Sequence, residues 1–122
     1  MQTILIIDDN SDFRDTLSDL LKREGYQTVE ASEGNEGISI IKNNQVDLVI
    51  TDMIMPGKEG IETIIELRDT YPDVKIIAVS GGGRHLPEKY LPIAKKFGVD
   101  FAFAKPLETK VFLNAVAQLM AS

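Results

Sequence analysis

Along the chain, short runs of Ile, Leu and Val alternate with stretches in which apolar residues recur every three or four positions. The runs predict five strands: Thr3–Ile7, Thr28–Ala31, Leu48–Thr51, Val74–Val79 and Asp100–Ala104. The first, third and fourth are apolar on successive residues, the pattern of strands covered on both faces of a parallel sheet. The second is more polar and reads as an edge. After the first strand, Phe13, Leu17, Leu20 and Leu21 share one helical face, with Ser11 placed to cap the helix and Gly25 to end it. Later helices carry Ile38 and Ile41, then Ile61, Ile64 and Ile65, and finally Phe112, Val116, Leu119 and Met120. The fourth unit is the least regular, because Gly81, Gly82 and Gly83 are followed by Pro87 and Pro92 before Ile93, Ala94 and Phe97. Proline inside a helix costs about 3 kcal/mol, so this helix is expected to be short, starting near Tyr90 to Pro92 after a long flexible loop.

Five strand-then-helix units without internal repeats or linkers predict an α/β fold. The expected form is a doubly wound, five-stranded parallel sheet in a three-layer sandwich, with right-handed crossovers. The 122 residues suit one domain spanning 1–122, with no output domain in this chain. There is no cysteine, hence no disulfide, thiolate metal site or Cys nucleophile. Thirteen basic against 19 acidic residues leave a net charge of −6, which disfavours binding to nucleic acid. No apolar run approaches the roughly 20 residues of a membrane span, and Asp8 and Asp9 interrupt the apolar start before a signal peptide could form. The expectation is an acidic, cytoplasmic domain that binds neither nucleic acid nor membrane.

In an open parallel sheet, ligands bind beyond the carboxyl ends of the strands. Those ends carry Asp8 and Asp9 after the first strand, Asp52 after the third, Ser80 after the fourth, and Lys105 with Pro106 after the fifth. Taken singly, each has an ordinary reading: helix capping for the Asp pair, a turn for Asp52, a loop for Ser80 before its glycines, and solvated surface for Lys105. Together they bring three carboxylates, a hydroxyl and an ammonium to one rim. Carboxylates so close are tolerated mainly around a cation, and an all-oxygen donor set suits Mg²⁺. With the charge neutralised, a carboxylate can attack phosphorus while Ser80 and Lys105 bind the oxygens of the transferred group.

From Ile4 to Met120 these features resemble the receiver domains of two-component response regulators, whose fold is the flavodoxin-like, CheY-like (βα)5 form of this architecture. The Asp8-Asp9 pair, Asp52 within Thr51-Asp52-Met53-Ile54-Met55-Pro56-Gly57, Ser80 and Lys105-Pro106 match in type, order and approximate spacing. The resemblance implies that Asp52 is the phosphoacceptor. It makes Asp9 a direct Mg²⁺ ligand, Asp8 one acting mainly through water, and the Ile54 carbonyl a further ligand. Ser80, followed by Gly81, becomes the switch hydroxyl, Lys105 an ion-pair partner of the phosphoryl group, and the Lys105–Pro106 bond cis. The chain departs from the family in having Ala102 where an aromatic usually reports the switch, with Phe101 and Phe103 pointing to the opposite face as core. The segment from Ser80 to Lys105 also runs about three residues longer than is typical of the family, which assigns switching to the loop after Ser80. Ile54 and Gly82 occupy two positions that influence access of water, and neither side chain can orient a water, so slow self-dephosphorylation is expected. His85 reads as surface or phosphate-proximal, and Arg84 as within reach of an anion.

The resemblance therefore implies a phosphorylation-controlled module that receives its phosphoryl group from a sensor histidine kinase or a phosphotransfer protein. Its output is binding of a downstream protein through the fourth helix, fifth strand and fifth helix, and a homodimer on phosphorylation is compatible with it. One alternative is a receiver-like interaction module that is not regulated by phosphorylation. Another is an aspartyl-phosphate phosphohydrolase, which needs a second acid two residues after the nucleophile, where Ile54 stands. A flavin-binding relative is disfavoured, since the acidic loop after the first strand would repel the cofactor's phosphate.

Overall fold

The apolar runs become five parallel strands in one sheet: β1 (Thr3–Ile7), β2 (Gln27–Ala31), β3 (Leu48–Asp52), β4 (Lys75–Ser80) and β5 (Phe101–Ala104). Their order in the sheet is β2-β1-β3-β4-β5. The chain is seen as a computed structural model that describes residues 1–53, 60–80, 92 and 94–121. Helices α1 (Ser11–Arg23), α2 (Gly34–Asn43), α3 (Gly60–Thr70) and α5 (Thr109–Met120) alternate with the strands, and helical residues 92 and 94–96 mark α4. The polar β2 is an edge, as its sequence predicts, and β3 and β4 extend to include Asp52 and Ser80 themselves. Those two residues are consequently held by the sheet rather than by a loop.

Alternate residues of the apolar runs in β1, β3 and β4 feed two cores. Leu5, Ile7, Val49, Ile76 and Ala78 pack with Ile38, Ile41, Ile64 and Leu67 of α2 and α3, together with Ala94. Ile4, Ile6, Leu48, Ile50, Ile77 and Val79 pack on the opposite face with Leu17 and Leu21 of α1 and Phe112, Val116, Leu119 and Met120 of α5. Each such side chain contributes about 1.5–3 kcal/mol on full burial, so the two cores fix the sheet register on which the rim depends.

Two sequence expectations are corrected here. The cap of α1 is Asn10, whose side chain accepts from the Phe13 N–H, while Ser11 is already helical. In α3, Ile65 is 44% exposed, and Thr63 and Leu67 turn inward beside Ile64. Gly25 ends α1 as expected: its φ of 95°, with Gly25 N donating to Lys22 O and Tyr26 N to Leu21 O, forms a Schellman turn. Arg68 of α3 ties the opposite end of the sheet, donating to the carbonyls of Val74 (2.6 Å) and Gly98 (2.9 Å) and to Asp100 (2.9 Å).

At the start of α2, Glu33 accepts from the N–H groups of Asn35 and Glu36. Glu36 in turn accepts from Ser32 N (2.6 Å) and Ser32 Oγ (2.9 Å). The Ser32 backbone N–H, then its hydroxyl, hold the Glu36 carboxyl below its ordinary pKa, with a smaller contribution from Arg14. Among the described residues, no helix is long and apolar enough to cross a membrane. Residues 81–91, where the sequence predicts the long loop leading to the fourth helix, lie outside the described residues.

Candidate functional site

The strand order places the carboxyl ends of β1 and β3 side by side, with β4 and β5 following, so Asp8, Asp52, Ser80 and Lys105 arrive on one edge. Between β1 and β3 the winding reverses, and such a switch point leaves an open crevice. Carboxylate oxygens of Asp8, Asp9 and Asp52 all lie within 4.8 Å of one another. Asp8 is 1% exposed and Asp52 8%, whereas Asp9 faces solvent.

Asp8 is held at every polar atom. Its N–H donates to Ala31 O (3.1 Å), and its carbonyl accepts from Arg14 Nη1 (2.6 Å). Its Oδ1 accepts from Asn10 N (2.8 Å), and its Oδ2 accepts from Lys105 Nζ (2.7 Å). The Lys105 ammonium also lies 3.6 Å from Asp52 Oδ2 and 4.2 Å above the centre of the Phe13 ring. The Lys105–Pro106 peptide bond is cis. Lys105 N donates to Ser80 O (2.8 Å), which joins the ends of β4 and β5. Ser80 Oγ is buried and, among the described residues, has no hydrogen-bond partner.

Asp52 rests on a close approach of α3. Gly60 N donates to Met53 O (3.1 Å), and a Cβ at Gly60 would stand 2.0 Å from the Asp52 carbonyl oxygen. Only glycine fits there. Gly60, Phe13 and Arg14 join the site beyond the residues expected from the sequence, in which Phe13 reads only as helical core. Gly60 opening an apolar helix so soon after Asp52 was the available signal. Ala102 is half-buried against the α2–α3 side, whereas Phe101 and Phe103 pack on the other face, Phe103 meeting Phe112 edge-on at 5.8 Å. Ile54, Gly81, Gly82, Arg84 and His85 lie outside the described residues.

Among the described residues, three carboxylates meet one ammonium at this rim, because the Arg14 guanidinium is matched by Glu30. At an effective dielectric near 20, each carboxylate pair at this spacing repels by on the order of 3 kcal/mol. A divalent cation removes that repulsion. The donor set is all oxygen, and the exposed Asp9 leaves room for retained waters, so the residues fit a hard ion such as Mg²⁺.

The family model described as "Response regulator receiver domain" matches residues 4–117. The chain belongs to the response regulator receiver domain family. Receiver domains are phosphoacceptors of two-component signalling and interact with histidine kinases and phosphotransfer proteins. The sporulation initiation phosphotransferase F of Bacillus subtilis is 29% identical over 98% of this receiver and 94% of its own length. The CAI-1 autoinducer sensor kinase/phosphatase CqsS of Vibrio cholerae is 32% identical over 93% of the receiver, which spans 17% of that relative's length. Among solved structures, the response regulator TrrA of Thermotoga maritima in complex with Mg²⁺ and BeF superposes with a TM-score of 0.86. It is 28% identical, over 98% of this chain and 99% of that one.

Proposed function

We propose that this receiver is phosphorylated on Asp52 by a sensor histidine kinase or a phosphotransfer protein. A carboxylate oxygen of Asp52 forms the new bond to phosphorus as the N–P bond of the donor phosphohistidine breaks, its electron pair staying on the imidazole nitrogen. The product is an acyl phosphate and a neutral histidine. The observation that carries this reading is the meeting of Asp8, Asp9 and Asp52 within 4.8 Å, with Lys105 between Asp8 and Asp52.

Asp8, Asp9, Asp52 and the Ile54 carbonyl would hold Mg²⁺, which when bound supplies the positive charge that lets a phosphoryl group approach these carboxylates. Lys105 binds an oxygen of the incoming group, its reach set by the Asp8 contact and the Phe13 ring. Ser80 offers a buried hydroxyl without a partner among the described residues, and the phosphoryl group gives it an acceptor. Pulling Ser80 towards Asp52 moves the chain that follows β4, and the surface of α4, β5 and α5 then binds its downstream partner differently. With Ala102 in place of an aromatic, the movement passes through the loop after Ser80. The domain is an acceptor that assists only its own phosphorylation and slow dephosphorylation, and it works in the cytoplasm.

Calorimetric titration with beryllofluoride, which stands in for a phosphoryl group, tests the site as a unit. The account expects one tight site that requires Mg²⁺ and is lost in Asp52→Asn. Binding that persists in Asp52→Asn contradicts it.

A further inference from the structure

Arg14 sits one turn into α1 and reaches back to the chain between β1 and α1. Its Nη1 donates to the Asp8 carbonyl at 2.6 Å, and its Nε meets Glu30 Oε1 of β2 at 3.3 Å. Glu30 thus orients a guanidinium whose other arm grips one particular peptide group. That peptide joins Asp8 to Asp9. Because it is planar, fixing the Asp8 carbonyl also fixes the Asp9 N–H and the direction of the Asp9 Cα. The remaining polar atoms of Asp8 are fastened independently, by Ala31, Asn10 and Lys105. Asp9 is exposed, and among the described contacts no hydrogen bond or ion pair fastens its side chain.

Resting on the cation reading above, we propose that Arg14 is a positioning residue for the cation site, holding the Asp8–Asp9 peptide so that Asp9 faces Asp8 and Asp52. Glu30 sets the geometry of Arg14. Contacts that orient ligands in this way are typically worth ten- to a hundredfold in metal affinity.

The sign of the effect separates positioning from charge. A guanidinium near a cation site repels the cation, so removing it should tighten Mg²⁺ binding if charge alone mattered. The positioning role predicts the opposite. Mg²⁺ is titrated calorimetrically into the full chain and into Arg14→Met, Arg14→Lys and Glu30→Gln, with the melting temperature of each metal-free protein measured alongside. Arg14→Met is expected to bind Mg²⁺ about tenfold more weakly, Arg14→Lys to recover most of the loss, and Glu30→Gln to show a smaller loss. Arg14→Met with equal or tighter Mg²⁺ binding overturns the proposal even if its melting temperature falls, since Arg14 is then only a staple between α1 and β2. An unmodified chain that takes up no Mg²⁺ overturns the cation reading and this proposal together. Should Arg14→Met not fold, wild-type affinity in both Arg14→Lys and Glu30→Gln overturns it.

Discussion

The Lys105 ammonium is bound more closely to Asp8, at 2.7 Å, than to Asp52, at 3.6 Å. The Phe13 ring lies against it at 4.2 Å, a cation–π contact that also limits where the ammonium can go. Lys105 is therefore held at the rim by Asp8 while it remains within reach of a group bound to Asp52.

Removing that ammonium should separate cation binding from phosphoryl transfer. In Lys105→Met, Mg²⁺ affinity is expected to equal or exceed that of the unmodified chain, because a competing positive charge is gone. Phosphoryl uptake should slow by about two orders of magnitude, the usual effect of losing a donor to the transferred group. Calorimetry with Mg²⁺ and quenched-flow mass measurement read the two quantities separately.

Ser80→Ala should have opposite effects on the free and the occupied protein. Its hydroxyl is buried without a partner among the described residues, so its removal is expected to leave the free protein's melting temperature unchanged or raised. Beryllofluoride binding should weaken about tenfold, matching the loss of a hydrogen bond to a charged group, of roughly 1.5 kcal/mol. Thermal melts with and without the ligand measure both.

At Gly60, an added methyl group would collide with the Asp52 carbonyl, which belongs to the sheet and cannot yield. Gly60→Ala is expected to cost about 1–3 kcal/mol, the range for overpacking, and to displace Asp52. Urea denaturation should show the lost stability, and weaker Mg²⁺ binding the displacement. A variant as stable as the parent would contradict the close packing.

Glu36 supplies a pH test at the start of α2. Its folded pKa lies below the unfolded value, so its stabilisation is present above the unfolded value and disappears as pH falls through the folded one. The group is largely exposed, and the effect should be small and weakened by salt. Glu36→Gln is expected to be slightly less stable than the parent at neutral pH, and the difference should close in acid. Melting temperatures measured across that range check the sign.

The sheet was legible because β1, β3 and β4 carry apolar residues in succession, at Ile4–Ile7, Leu48–Ile50 and Ile76–Val79, a pattern that burial on both faces satisfies. The residues at the strand ends followed from the same reading, since parallel topology gathers those ends at one edge. Cap and stripe residues were less legible. Asn10 and Ser11 are both good caps, and only the backbone angles distinguish them; Ile65 and Leu67 are equally apolar, and packing alone decides which turns inward. Arg14 and Arg68 could not be read, because each acts on backbone atoms brought near by the tertiary fold rather than through a local pattern.

The most direct measurement is the intact mass of the protein after incubation with Mg²⁺ and acetyl phosphate, with Asp52→Asn treated in parallel. The account predicts a single phosphoryl adduct that requires Mg²⁺ and is absent from Asp52→Asn. An adduct of the same extent in Asp52→Asn, or no adduct on the unmodified chain, would contradict it.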